Sequence, residues 1–206
     1  MYAVNAMPRP RSLSSTQVAE AALALIDDEG LPSLSMRTVA RRLGVGTMSL
    51  YRYVSDRAQL EELVVNQVLS GLDTGLPRGS AGRRLAVLAE RVRSAAARHP
   101  AAVPLLLVHR HRVPASLDWG ETVLGVLTDA GVTGRRRVLA FRAVLAYVFG
   151  ALEVDHYGPL AGEGTRILAQ LDEYPLLRQT ATQAADVPPE EEFGRGFEIL
   201  LRGLGL

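Results

Sequence analysis

The sequence predicts an all-α protein, and three features carry that prediction. Apolar residues recur at the three- and four-residue spacing of a helix in successive segments along the chain. No segment shows the apolar–polar alternation of a half-buried strand. Glycine and proline separate the helical segments at short intervals. The composition, 48% hydrophobic and 22% charged, is ordinary for a globular chain with a sizeable core.

Four helices are predicted in the first third of the chain. Ser14 or Ser15 caps the first, and Gly30 followed by Pro32 ends it. The other three are placed by the same start and stop signals, with Asp56 and Gln59 in capping-box register. They run from Ser35 to Gly44, from Thr47 to Tyr53, and from Asp56 to about Leu72.

The second and third helices have the spacing of a helix-turn-helix unit. Counting from Met36, a small residue (Ala40) stands fifth, a glycine (Gly44) ninth and an apolar residue (Leu50) fifteenth. These are the residue types needed at the helix crossing, at the turn and as the anchor of a recognition helix. Five arginines against one acid between residues 35 and 57 add a basic patch to a chain of net charge +1. The segment therefore predicts DNA binding.

The exposed residues of this unit divide into base-reading and backbone-contacting candidates. Thr47, Met48 and Ser49 open the third helix, whose first turn points toward base edges in this geometry. Thr47 could instead be only a cap. Arg37, Arg52 and Arg57 suit phosphates, as do Tyr51 and Tyr53, although Tyr51 could also be a half-buried core aromatic. Arg41 and Arg42 are expected on the solvated back of the second helix.

A glycine-rich interval, from Gly71 to Gly82, marks the predicted domain boundary. Residues 1–13 are expected to be a flexible basic arm, 14–76 the DNA-binding domain with its linking helix, and 77–206 a helical regulatory and dimerisation domain. Gly158–Gly164 is predicted as a loop. The predicted helical segments of the second domain run from Leu85 to His99, and through Ala101–Val108, Leu117–Ala130, Arg135–Tyr157, Leu176–Ala185 and Pro189–Leu204.

The second domain offers candidates for a ligand pocket and none for catalysis. The expected pocket is mostly apolar, which favours an apolar or aromatic small molecule. Its predicted lining is Val92, Val103, Leu106, Leu107, His109, His111, Leu127, Tyr147 and Glu153. A metal is not expected, because His109 and His111 diverge on a helix beside cationic arginines. The chain has no glycine-rich phosphate loop, GxSxG or HExxH motif, so neither an enzyme nor a cofactor is expected.

The segment Met36–Leu63, with RTVARRLGV, SLYRYV and DRAQLEEL, resembles the DNA-binding domain of tetracycline-repressor (TetR) family transcription regulators. The second domain resembles the family's tetracycline-repressor-like C-terminal class more loosely. That likeness lies in RHP at 98–100, ETVLGVLTDAGV at 121–132, YVFGALE at 147–153, YPLL at 174–177 and FGRGFEILLRGL at 193–204.

The resemblance implies a homodimeric repressor whose ligand, bound in the second domain, releases a palindromic operator. The family's DNA contacts carry over to Ser35, Arg37, Thr47, Met48, Ser49, Tyr51, Arg52, Tyr53 and Arg57. The dimer would pack the long and last helices into a four-helix bundle. Its predicted interface is Phe141, Leu145, Val148, Phe149, Phe193, Phe197, Leu200 and Leu201.

One motif of the tetracycline-binding members is missing. They carry a Thr-Arg-Pro segment near a histidine, where this chain has Val108–Pro114, which argues against tetracycline as the ligand. Two other functions stay open: a constitutive DNA-binding protein without an effector, and an all-α enzyme.

The expected compartment is the cytoplasm, with the protein on the nucleoid through its DNA. The chain has no cysteine, which excludes disulfides and fits a reducing environment. The first residues lack the apolar core of a signal peptide. The longest apolar run, Ala143–Leu152, is shorter than the ~20 residues of a bilayer span. No membrane partner is expected.

Overall fold

The computed structural model describes residues 13–158 and 162–206, and the predicted arm, apart from its last residue, lies outside them. The regular structure in these ranges is entirely helical, which confirms the predicted fold class. The helices are α1 (Ser15–Glu29), α2 (Met36–Arg42), α3 (Thr47–Leu50), α4 (Arg57–Leu69), α5 (Ala81–Ala97), α6 (Val103–His109), α7 (Pro114–Asp129), α8 (Gly134–Tyr157), α9 (Glu163–Leu168), α10 (Pro175–Ala184) and α11 (Pro189–Gly203). Short 3-10 turns at Leu31–Ser33 and Pro100–Ala102 precede α2 and α6.

Side-chain caps fix where the early helices begin. Ser14 caps α1 in a complete capping box with Gln17. Ser35 caps α2 in the same way, with Thr38 as its partner. Gly30, at φ 82°, ends α1 in a backbone conformation that residues with a Cβ avoid.

Several predicted boundaries were wrong. The third helix ends at Leu50 instead of Tyr53, because the chain turns over residues 51–53. The fourth ends at Leu69 instead of Leu72. The predicted loop Gly158–Gly164 extends too far, because α9 already begins at Glu163; a helix of six residues shows too little periodicity to be recognised.

The predicted capping box of the fourth helix is also only half formed. The Asp56 carboxylate accepts a hydrogen bond from the Gln59 backbone N–H at 2.8 Å. The Gln59 carboxamide oxygen, however, accepts from the Ser55 backbone N–H at 2.6 Å instead of from Asp56. The cap therefore extends one residue further back along the chain than the motif predicts.

Two apolar clusters form the interior. The first joins α1, α2, α3 and α4 and also takes Leu105 and Leu106 from α6 and Val113 from the start of α7. The second joins α5, α7, α8 and α11 around Trp119 and Phe197. The first cluster therefore crosses the predicted domain boundary, and helices of the second domain pack directly on the linking helix α4.

The pair α9–α10 lies apart from these clusters. The two helices pack on each other, and Ala181 is the one residue of theirs that is buried in the described chain. No helix within residues 13–158 and 162–206 is long and apolar enough to cross a membrane.

Candidate nucleic-acid interface and regulatory body

The turn between α2 and α3 has the geometry that a recognition helix requires. Ala40 and Leu50 are buried in the first cluster, and the Val45 backbone N–H donates to the Ala40 carbonyl at 3.0 Å. Gly44 adopts φ 68°, where a side chain is strained. A Cβ placed on Gly44 would meet no atom within 4 Å, so the backbone angle, and not lack of space, calls for glycine.

The predicted base-reading residues lie on the outer side of α3. Met48 is 79% exposed, while Thr47 and Ser49 are half-buried. Leu50, on the opposite side of this single turn, is fully buried. The short helix is thus fixed by one apolar side chain and presents the other three residues outward.

The two tyrosines after α3 take different positions. Tyr51 is 47% exposed, whereas Tyr53 packs partly buried against the first cluster. The alternative of a half-buried core aromatic therefore applies to Tyr53 and not to Tyr51. Arg52, between them, is exposed.

Most arginines of the basic patch carry no compensating carboxylate. Arg37, Arg41 and Arg52 are exposed, and within the described residues none of them forms an ion pair. Arg42 pairs with Asp28 of α1 at 2.5 Å. Arg57 donates from Nε to Glu61, one turn along α4, at 2.8 Å. Three uncompensated cations beside an exposed helix start form a surface that attracts a polyanion.

Ser35 differs from the other predicted DNA contacts because its hydroxyl already caps α2. It accepts from the Thr38 backbone N–H at 3.1 Å and contacts the Thr38 hydroxyl at 2.8 Å. Any bond to DNA would have to share this oxygen. Asp56 holds a similar position at the start of α4, where hydrogen bonds from the Gln59 backbone and the Ser55 hydroxyl lower the pKa of its carboxyl group.

Polar contacts connect the DNA-binding helices to the rest of the body. His109 of α6 is buried and donates from Nε2 to Glu61 of α4 at 2.9 Å. Arg112 pairs with Glu62 of α4 at 3.3 Å. His99 contacts Asp27 of α1 through Nδ1 at 2.8 Å. These acidic partners were not predicted from the sequence, although the i, i+4 spacing of Arg57 and Glu61 indicates one of them.

The predicted pocket-lining residues are divided between the two apolar clusters, a groove between α6 and α8, and the exposed surface. Val92, Val103 and Leu127 are buried in the second cluster, whereas Leu106 belongs to the first. The apolar periodicity predicts which face of each helix is buried, but not which of the two clusters covers that face. Of the polar members, Tyr147 is occupied in donating to the Phe193 carbonyl at 2.8 Å, and His111 and Glu153 are exposed.

Trp119 occupies the middle of the second cluster. It was not among the residues that the sequence singled out. It is buried, its Nε1–H donates to the Leu88 carbonyl at 3.0 Å, and it meets Phe149 edge-on with ring centroids 6.3 Å apart. A large, hydrogen-bonded indole therefore fills part of the core between α5, α7 and α8. Among the described residues no group of three or more potential ligands could hold a metal ion.

An open groove of about 480 Å³ lies between α6 and α8. The Arg110 guanidinium lies 5.0 Å from the Phe149 ring centroid in this groove. Leu107 and Glu153 are the two predicted pocket residues that reach it. The full lining is Leu107, Arg110, Arg142, Leu145, Ala146, Phe149, Gly150 and Glu153.

Five of the eight predicted dimer contacts are buried within the chain itself. Phe141, Leu145 and Leu200 are half-buried. The remaining five pack in the second cluster: Val148, Phe149, Phe193, Phe197 and Leu201. Among the described residues, the large apolar side chains that α8 and α11 leave exposed are Val138, Leu139, Tyr157 and Ile199.

Comparison with known proteins agrees with this architecture. The model for "Bacterial regulatory proteins, tetR family" matches residues 18–63, and that for "Tetracyclin repressor-like, C-terminal domain" matches residues 75–205. The HTH-type transcriptional repressor DrrR1 of Streptomyces coeruleorubidus is 32% identical over 218 residues, covering 96% of this chain and 78% of the relative.

Two solved structures share the fold at lower identity. ActR from Streptomyces coelicolor in complex with actinorhodin has a TM-score of 0.81 at 22% identity, covering 95% of this chain and 96% of ActR. Mycobacterium smegmatis BioQ with its double-stranded DNA operator has a TM-score of 0.71 at 20% identity, covering 93% and 98%.

An all-helical chain with an N-terminal helix-turn-helix and a helical C-terminal body defines a class of DNA-binding transcriptional regulators. Within that class, this chain belongs to the TetR family of transcriptional repressors.

Proposed function

We propose that this chain is a ligand-responsive repressor that binds a palindromic operator as a homodimer and is released by a small apolar or aromatic molecule. The observation that carries the proposal is the surface around α3. An exposed helix start, anchored by the buried Leu50, lies beside three arginines without carboxylate partners in the described chain. Residues 14–76 would read DNA, and residues 77–206 would control that reading.

On DNA, the first turn of α3 enters the major groove, which is about 12 Å wide. Met48 and Ser49 face base edges, and the apolar Met48 side chain can contact the methyl group of a thymine. Arg37 and Arg52 bind phosphates, and the exposed Tyr51 donates its hydroxyl to the same backbone. The phosphate contacts give affinity and register, and α3 supplies sequence preference.

The dimer follows from the apolar residues left uncovered on α8 and α11. Val138, Leu139 and Ile199 are exposed in a single chain, as interface residues must be. A two-fold dimer through these helices sets two α3 helices about 34–36 Å apart, one turn of DNA. That symmetry implies a palindromic operator.

Release of the operator requires a ligand that binds more tightly to a state in which α4 is displaced. This helix follows directly after the reading unit, which consists of α2, α3 and the turn through residue 53. It packs against α1, α5, α6 and α7. A molecule that binds in the body and displaces α6 would move α4 and change the spacing of the two α3 helices. Only its differential affinity for the two states can shift the equilibrium. The groove between α6 and α8, with Phe149 and Leu107 in its wall, suits an apolar or aromatic molecule.

A second candidate is a DNA-binding protein without an effector, and the filled second cluster favours it. Trp119 occupies the interior, and Val92 and Leu127 are buried around it. A thermal-shift screen with aromatic compounds separates the two functions. A stabilising compound that also weakens DNA binding supports the ligand-responsive repressor, and a compound library without such an effect supports the second candidate.

The DNA-binding proposal is tested with duplexes selected by the protein from a random-sequence library. We expect selection of a palindrome and affinity that falls steeply with salt, because bound arginines release counterions. The double variant Arg37→Ala with Tyr51→Ala should lose most of this affinity, whereas Arg178→Ala, a substitution on α10, should keep it. A folded protein that selects no common sequence, or a double variant with unchanged affinity, would overturn the proposal.

A further inference from the structure

Glu61 connects the DNA-binding surface to the body through its two carboxylate oxygens. Oε1 accepts a hydrogen bond from Arg57 Nε at 2.8 Å, and Oε2 accepts one from His109 Nε2 at 2.9 Å. The Glu61 side chain is only 16% exposed, and His109 is the one buried polar or charged residue in the described chain. A shielded carboxylate with one basic group at each oxygen is a bridge between α4 and α6.

Arg57 is the end of this bridge that DNA can reach. Its side chain is 54% exposed at the first position of α4, and it uses Nε for the bond to Glu61. The terminal nitrogens of the guanidinium group are thus accessible to a phosphate. Holding a long arginine through Nε also restricts its rotamers before DNA arrives, which lowers the entropic cost of binding.

His109 determines how Glu61 can hold Arg57. While Oε2 accepts the hydrogen bond from His109, the arginine is bonded through Oε1 alone. If the histidine donor is removed, Oε2 becomes an unsatisfied acceptor in a shielded site, which is unfavourable. The carboxylate then gains most by binding Arg57 bidentately, with a second bond to a terminal nitrogen that a phosphate would otherwise use.

We propose that Glu61 is a positioning residue for the phosphate contact of Arg57, and that His109 of the body controls this position from α6. The inference rests on the proposed DNA-binding function. A displacement of α6 that separates His109 from Glu61 would weaken the grip on DNA even before the spacing of the recognition helices changed.

Other charged groups occur near this bridge but do not share it. Arg112 is engaged by Glu62, one residue beyond Glu61 on α4. Arg110 lies over the Phe149 ring on the α8 side. His111 is exposed. The contact of His99 with Asp27 also joins the body to a DNA-binding helix, but Asp27 contacts no predicted phosphate-binding arginine. His99 therefore provides a matched control.

The test measures affinity for the selected duplex at several salt concentrations. His109→Leu should weaken binding roughly fivefold to tenfold, within the usual range for coupled sites. It should also lower the slope of log affinity against log salt by about 1 for each phosphate that is no longer bound. His109→Gln keeps an Nε2 donor at a similar reach and should restore both values. In an Arg57→Ala background, His109→Leu should have no further effect, because the group it acts on is absent.

The controls separate positioning from stability and from failure of the function itself. His99→Leu removes a comparable contact between the two parts and should leave the salt slope unchanged. If His109→Leu had no effect on a protein that is still sensitive to Arg37→Ala, or acted equally with and without Arg57, the inference would fail while DNA binding stood. Equal losses of DNA affinity in His99→Leu and His109→Leu would also contradict the inference. Both contacts would then act only by holding the C-terminal helices against the DNA-binding helices. If the double variant Arg37→Ala with Tyr51→Ala also bound with unchanged affinity, the proposed function would fail first.

Discussion

The surfaces of the N-terminal part (α1 to α4) and of the C-terminal part (α6 onward) differ in kind. Over α1 to α4, the large apolar side chains left exposed are Met48 and Tyr51, both in the reading unit. The same segment carries the exposed Arg37, Arg41 and Arg52, which form no ion pair within the described residues. From α6 onward, exposed large apolar residues are common: Val108, Leu117, Val138, Leu139, Tyr157, Ile167, Tyr174, Leu176, Leu177, Val187 and Ile199.

This difference reflects two kinds of partner. Binding a polyanion needs exposed cations and few apolar residues, because affinity comes from released counterions. Binding a second chain or an apolar ligand needs apolar area that can leave water. The N-terminal part is therefore suited to DNA and the C-terminal part to protein and small-molecule contacts.

The largest expected effect concerns the apolar surface of the C-terminal part. Replacing both Leu139 and Ile199 by glutamate places charges on the side chains that we assign to the dimer interface. We expect monomers in sedimentation, and affinity for a palindromic duplex lower by about 10²- to 10⁴-fold, because two linked half-sites gain that much from avidity.

The matched control for the dimer is Leu117→Glu, an exposed leucine on α7 outside the two interface helices. It should leave both mass and affinity unchanged. Dimers that persist in the double variant would remove α8 and α11 from the interface.

A smaller effect is expected at the anchor of the reading unit. Leu50→Ala removes a fully buried side chain that holds α3, and should lower the free energy of unfolding by about 2–5 kcal/mol in urea titrations. Met48→Ala, on the exposed side of the same turn, should change it by less than about 0.5 kcal/mol. Met48→Ala should instead alter the selected DNA sequence. Equal stability losses would mean that α3 is not held as described.

The smallest of the three effects concerns the turn. Gly44→Ala introduces a Cβ at φ 68°, and should cost about 1–2 kcal/mol although no atom is close to the new carbon. Gly46→Ala is the comparison, since Gly46 has φ −71° and equally open surroundings. The same urea titrations should show a smaller loss for Gly46→Ala, which comes only from replacing glycine at the N-cap of α3. A neutral Gly44→Ala would show that the turn relaxes into another conformation.

Local chemistry made much of the N-terminal part predictable. Capping serines, the glycine at the turn and the spacing of Ala40, Gly44 and Leu50 act over a few residues, so the sequence alone determined the helix-turn-helix and the all-α class. The helix ends were less certain, because the turn after Leu50 and the stop at Leu69 depend on packing as well as on propensity.

The contacts between distant segments were decided by the tertiary structure. A periodic pattern shows that Val148 and Phe197 lie on an apolar face, but not whether their own chain or a second one covers that face. The bridge from His109 to Glu61 joins residues 48 apart, and the bond from Trp119 to Leu88 joins residues 31 apart. Such pairs form only when separate helices pack side by side, so no local spacing could indicate them. The sequence thus determined the DNA-binding fold, and the packing of α4 against α6 determined where we propose that DNA binding is controlled.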